Sequence, residues 1–291
     1  MTNNDQAAEL RRRISRLTGK RAKTAAIVSG KGGVGKSNIS LNFAIELTRH
    51  GKKVLIFDMD IGMGNIHVLT GQTAGRSIAD FFEKDLSLED LIYRDQEGVS
   101  YILGGSGLSR LIEWDNSHFS RWLEGIEALQ EQYDYLLFDM GAGATKEALN
   151  VLMSVDDIIV VTTPEPTSIT DAYSMMKYIH FQGGESAFYL LCNRADSERE
   201  GQEAVKRLQQ AIRKFLGKSS FELGVLPEST AVKKAVSAQI PFLVAAPNAK
   251  VSRALQEAVK LYREGYGYLE ERPETNSFIS KLRHFFVKGR H

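Results

Sequence analysis

One octapeptide, Gly30-Lys31-Gly32-Gly33-Val34-Gly35-Lys36-Ser37, constrains the fold of this chain more than any other feature. It fits G-x-x-x-x-G-K-[ST], a loop in which glycines bring backbone N–H groups around phosphate oxygens. The flanks match that purpose. Thr24-Ala25-Ala26-Ile27-Val28 is short, apolar and β-branched, which predicts a buried parallel strand. Asn38 to His50 predicts a helix, with Ile39, Phe43, Ala44 and Leu47 on one face and Gly51 as its C-terminal cap. Gly32, Gly33, Val34, Gly35 and Asn38 are therefore expected around phosphate, where the helix N-terminus adds partial positive charge. Lys36 is placed to reach the β/γ-phosphates and Ser37 to ligate Mg²⁺. ATP or ADP with Mg²⁺ is the expected ligand.

Other apolar runs follow without polar alternation, at 54–57, 135–138, 158–161, 188–192 and 223–226. Helical patterns over 119–132, 168–180 and 203–216 separate them. This arrangement predicts an α/β fold of three layers, a mainly parallel twisted sheet with helices on both faces and right-handed crossovers. A length of 291 residues suits one large domain, and a net charge of +1 argues against whole-protein attraction to nucleic acid. The one cysteine, Cys192, excludes a disulfide framework, and its apolar neighbours predict a buried thiol. No signal peptide or 18-residue apolar stretch is evident, so a cytoplasmic protein is expected.

Three acids end apolar strands: Asp58 and Asp60 after Val54-Leu55-Ile56-Phe57, and Asp139 after Tyr135-Leu136-Leu137-Phe138. Ligands of open α/β sheets bind beyond the carboxyl ends of the strands. A carboxylate there can hold Mg²⁺ or orient an attacking water. A lone strand-end aspartate is often only a helix cap. Two such sites beside a phosphate loop favour the functional reading.

Taken together, Lys31 to Ser37, Asp58-Met59-Asp60-Ile61-Gly62-Met63-Gly64-Asn65 and Asp139-Met140-Gly141-Ala142-Gly143 resemble the three motifs of the MinD/ParA family of P-loop ATPases, over roughly residues 24–265. The resemblance implies that Lys31, which the general motif does not require, reaches across a nucleotide-sandwich homodimer to the partner's phosphates. It implies that Asp60 orients the water, Asp58 sits in the Mg²⁺ shell and Asp139 is the Walker B-type acid. It also places Asn193, Arg194, Pro227 and Glu228 at the adenine.

Both ends differ from the middle, which suggests an N-terminal segment at 1–23, an ATPase domain at 24–272 and a tail at 273–291. The tail predicts an amphipathic helix, with Phe278, Ile279, Leu282, Phe285 and Phe286 on one face and Lys281, Arg283, His284 and Lys288 mostly opposite. Aromatics against a basic face suit an in-plane helix on anionic membrane lipid. The alternative is a helix docked on its own domain. Residues 1–23 hold seven basic residues against two acidic ones. Within them Asp5-Gln6-Ala7-Ala8-Glu9-Leu10-Arg11 resembles the D-Q-A-x-x-L-R activator motif of the FlhG (YlxH) family of MinD-like regulators of flagellar number. That resemblance implies a role for Asp5, Gln6, Leu10 and Arg11 in stimulating the signal-recognition-particle-type GTPase FlhF. It further implies flagellar basal-body (C-ring) proteins as partners and a peripheral position at the inner face of the cell membrane when ATP is bound. Nucleic acid is not an expected partner.

Overall fold

The computed structural model describes residues 21–60, 66–71, 75–84, 86–104, 116–141, 146–265 and 277–288. Eight strands form one sheet: β1 Lys23–Val28, β2 Val54–Met59, β3 Tyr93–Arg94, β4 Ser100–Ile102, β5 Tyr135–Met140, β6 Asp157–Thr162, β7 Ala187–Ala195 and β8 Ser220–Pro227. Their order is β3-β4-β2-β5-β1-β6-β7-β8, and every pairing is parallel except β3 with β4.

The strands lack alternation because both faces are covered. Ala26 and Val28 of β1 point into one apolar layer while Ala25 and Ile27 point into the other. The second layer is built on α1, Lys36–Arg49, with α8 Thr230–Ser237, α9 Phe242–Ala245 and α10 Lys250–Glu264. The first holds α3 Ile78–Glu83, α4 Asn116–Gln132, α5 Lys146–Ser154, α6 Pro166–Phe181 and α7 Glu198–Leu216. A short helix, α2 Ile66–Thr70, follows β2. The predicted apolar face of α1 is fully inside, with Ile39, Phe43, Ala44 and Leu47 buried. Gly51 adopts φ +75° just beyond the helix, where an L side chain would be strained. Cys192 lies in β7, buried, and burial pushes its thiol up to about 12, so it is an inert core residue.

The tail forms α11, Phe278–Lys288. Its apolar face lies on the body: Phe278, Ile279 and Leu282 are buried, and Phe285 and Phe286 are half-buried against the same core. The rings of Phe278 and Phe138 are 5.5 Å apart, and those of Phe286 and Phe119 are 4.6 Å apart. Lys281 reaches Glu185 at 3.5 Å. Of the tyrosines near the end of α10, Tyr262 is fully buried and donates to Asp157 at 2.8 Å, so it anchors α10 to the sheet.

β1 is flanked by β5 and β6, and β2 lies beside β5. The carboxyl ends of these central strands therefore bring the phosphate loop and both acidic strand ends to one edge of the sheet.

Candidate functional site

The phosphate loop joins β1 to α1, as its sequence predicts. Gly33 and Gly35 have φ of +78° and +92°, and Gly35 sits at the N-cap of α1. Left-handed conformations of this kind let a loop turn successive backbone N–H groups toward an anion. The Asn193 amide, at the end of β7, donates to the Val34 carbonyl at 2.7 Å. Its φ favours glycine at Gly35, and a Cβ there would lie 2.6 Å from that amide and displace it.

Lys36 is buried and bonds Asp139 Oδ1 at 3.2 Å, while Ser40 Oγ donates to the same oxygen at 2.9 Å. Asp139 is paired in register with Asp58 across β5 and β2. The second oxygens, Asp58 Oδ2 and Asp139 Oδ2, are buried with no hydrogen-bond partner. Burial, and then the charge of Asp139, raise the Asp58 carboxyl to about 7, against bonds from the Asp60 and Ile66 amides that lower it. Two adjacent buried carboxylates with free oxygens, one lysine and a cradle of N–H groups fit a hydrated Mg²⁺ and a polyphosphate. Mg²⁺ keeps several waters and takes few protein ligands, in line with the few acids present. Among the described residues no group of three or more His, Cys, Asp or Glu forms a closed metal cage. Ser37 is half-buried at the start of α1. Asp60 lies just past β2, where a Cβ on Gly141 would come within 3.2 Å of its Cα, so Gly141 allows the ends of β2 and β5 to converge.

A cavity of about 320 Å³ opens beside the loop. Gly35, Asn38, Asn193, Arg194, Pro227 and Glu228 line it, so the predicted base contacts come together in one place. Arg194 adopts φ +57°, an uncommon conformation for a non-glycine residue that concentrates at functional sites. Glu228 pairs with Lys233 at 2.7 Å. Val232 and Phe242, which sequence reading did not single out, supply apolar walls. Ser40 was missed as well, although it lies one turn beyond Lys36. Asp5, Gln6, Leu10 and Arg11, with residues 61–65 and 142–145 of the second and third motifs, lie outside the described residues.

Fold and site define a P-loop nucleotide hydrolase. The family model described as ParA, NUBPL iron-transfer P-loop NTPase, matches residues 20–261. Antiactivator FleN of Pseudomonas aeruginosa is 32% identical over 231 residues, which covers 79% of this chain and 82% of FleN. Flagellum site-determining protein YlxH of Helicobacter pylori is 32% identical over 249 residues, 82% of this chain and 81% of YlxH. The septum site-determining protein MinD of Pyrococcus horikoshii, solved with Mg-ADP, superposes with a TM-score of 0.66 at 26% identity, covering 85% of this chain and 98% of that one. This chain belongs to the MinD/ParA family of P-loop ATPases. It is an ATPase that works with ATP, ADP and Mg²⁺.

The raised Asp58 carboxyl links stability to pH. Its folded value of about 7 lies above the ordinary 3.8, so the folded protein holds a proton that the unfolded chain releases. Stability is therefore lost as pH rises from about 4 through about 7, by an upper limit of roughly 4 kcal/mol. Asp58→Asn removes that penalty. Without nucleotide or Mg²⁺, its melting temperature should exceed the parent's at pH 8 by several degrees and match it near pH 4. Equal melting temperatures at pH 8 would refute the raised Asp58 carboxyl.

Proposed function

We propose that this protein is an ATP-hydrolysing dimerisation switch that associates with the membrane and regulates flagellar number or placement. The observation that carries the switch is the position of Lys31. Its ammonium lies at the rim of its own site, against Glu165 and Thr167 at the start of α6, whereas Lys36 lies inside against Asp139. A rim lysine is placed to serve a second protomer's phosphates, as an arginine finger does when supplied in trans. Within this reading Lys36 neutralises β/γ-phosphate charge, and Ser37 with Asp58 holds Mg²⁺ through its shell. Asp139 orients Lys36, and Asp60 orients the water. Asn193, Arg194, Pro227 and Glu228 hold the base.

The flagellar assignment is supported by similarity to FleN and YlxH, whose names describe an antiactivator and a flagellum site-determining protein. The iron-transfer description of the family model finds no support in the chemistry of Cys192, the only cysteine, whose buried thiol stays protonated. We divide the chain into an activator segment at 1–23, an ATPase body at 24–272 and a membrane-targeting tail at 273–291. Among the described residues no helix is long and apolar enough to cross a membrane, so attachment would fall to α11. Its apolar face has one surface and two covers, the body or the bilayer, so lipid binding requires undocking. Two tails in a dimer bind far better than one through effective concentration. Residues 1–23 would stimulate the GTPase FlhF, with Gln6 placing its amide near the attacking water. C-ring proteins of the flagellar base complete the partners.

Lys31→Ala should keep ATP binding and lose the dimer seen by light scattering with a slowly hydrolysed analogue. A variant that dimerises like the parent would remove the trans role. Phe285→Glu places a charge on the inserted face and should cut sedimentation with anionic liposomes severalfold in the ATP state. Undiminished sedimentation would leave α11 a structural cap. Gln6→Ala should still bind FlhF and stimulate its GTP hydrolysis little. Full stimulation by that variant would assign the segment another role.

A further inference from the structure

Residues 204–221, the second half of α7 and the start of β8, hold Lys206, Arg207, Arg213, Lys214 and Lys218 and no acid. Lys206, Gln209 and Arg213 fall at helical spacing along one edge of α7. With Lys218 and Ser220 they line an open cavity of about 450 Å³ that has no acidic side chain among its walls. Lys206 and Arg213 are exposed, and among the described residues neither meets a carboxylate at ion-pair distance. A cavity of this size has room for a phosphate group and several waters, at about 30 Å³ for each water.

Lys218 is the fixed member of the cluster. It is half-buried, its ammonium donates to the Gly184 carbonyl at 2.5 Å, and it lies 5.7 Å from the centre of the Phe188 ring. An ammonium has three N–H donors, so the bond to Gly184 leaves others for a ligand. The Gln209 amide donates to the Ser220 carbonyl at 3.4 Å and ties α7 to β8 beside the cavity.

The turn at Gly184 joins this cluster to the tail. Glu185, one residue on, pairs with Lys281 of α11 at 3.5 Å, and Lys281 and His284 line a second cavity against the same turn. The basic cluster therefore lies beside the seat that α11 must leave to reach a bilayer. Lys281 leaves with α11, and Glu185, the acid that acts on Lys218, stays behind against three cations. A single weak anchor gives marginal, reversible attachment, and a basic patch is a common second signal.

We propose that the pocket of Lys206, Arg213 and Lys218 takes the phosphate of an anionic lipid headgroup and forms a second membrane contact beside α11. This contact rests on the membrane association proposed above. Lipid fits better than nucleic acid. The cluster is one compact pocket next to the tail's seat, whereas a nucleic-acid surface neutralises a row of phosphates, and the net charge of the chain is only +1.

The test is sedimentation of the full chain, with Mg²⁺ and a slowly hydrolysed ATP analogue, on vesicles of phosphatidylglycerol and phosphatidylcholine. It compares the parent, Phe285→Glu, the pair Lys206→Ala/Arg213→Ala, and the pair Arg253→Ala/Lys260→Ala, which removes the same charge from α10 in the opposite layer. A basic residue at an anionic surface is worth about fivefold in binding, so Lys206→Ala/Arg213→Ala should bind roughly 25-fold more weakly. Its melting temperature and lipid-free ATP turnover should match the parent's, and the α10 pair should bind nearly as the parent does. Parent-like binding by Lys206→Ala/Arg213→Ala, or an equal loss in the α10 pair, overturns the site. Saturable binding of inorganic phosphate or duplex DNA that Lys206→Ala/Arg213→Ala abolishes, with vesicle binding unaltered, would assign the pocket to that ligand and overturn the lipid contact. A parent that ignores anionic vesicles would refute the membrane association, and this contact with it. A weakened Phe285→Glu beside a parent-like Lys206→Ala/Arg213→Ala would remove this contact alone.

Discussion

Two carboxylates buried side by side, Asp58 on β2 and Asp139 on β5, set the terms for everything around them. Taking a charge out of water is costly, and a neighbouring like charge adds to that cost. The fold supplies one buried cation, Lys36, and the hydroxyl of Ser40, and directs both to Asp139. Asp58 receives backbone amides and holds a proton near neutrality. The arrangement is incomplete as a protein structure and complete as a receptor. In the proposed function a divalent cation would supply the missing positive charge on one side, and a polyphosphate would satisfy the loop N–H groups on the other.

The loop binds this centre to the rest of the molecule in two directions. Through Asn193 it is tied to β7 and the adjacent cavity, by the hydrogen bond to the Val34 carbonyl. Through Gly30 it rests on α6, which also carries Glu165 and Thr167 at its start. On the same side of the sheet, α5 and α4 support the apolar face of α11. The phosphate loop thus touches the helical layer on which α11 rests, while the cavity beside it is walled by the opposite layer.

Much of this was legible in the sequence because the determining interactions are local. The strand, glycine turn and helix around Lys36 are specified within about thirty residues, and non-alternating runs announce a sheet buried on both faces. That Asn193 and Pro227 line one cavity with the loop was suggested only by family resemblance, since no local rule links them to a loop far away in sequence. Strand order could not be read, so the pairing of Asp58 with Asp139, and the proton it traps, had to come from the structure. Glu165 was equally hidden: a glutamate between prolines suggests a turn, and its partner lies 134 positions earlier. The short strands β3 and β4 lack the length for a periodic signal. An amphipathic helix such as α11 reports an apolar face without reporting what covers it, and here the body does.

The central claim is that this ATPase works as a pair of chains, and its most direct measure is the turnover rate per protomer as protein concentration is raised at saturating Mg-ATP. The account predicts a rate that climbs with concentration and levels off once the dimer is filled, with the midpoint matching the dimer Kd found by sedimentation. A turnover per protomer that stays constant well below that Kd would mean each chain completes its own site, and would contradict the account.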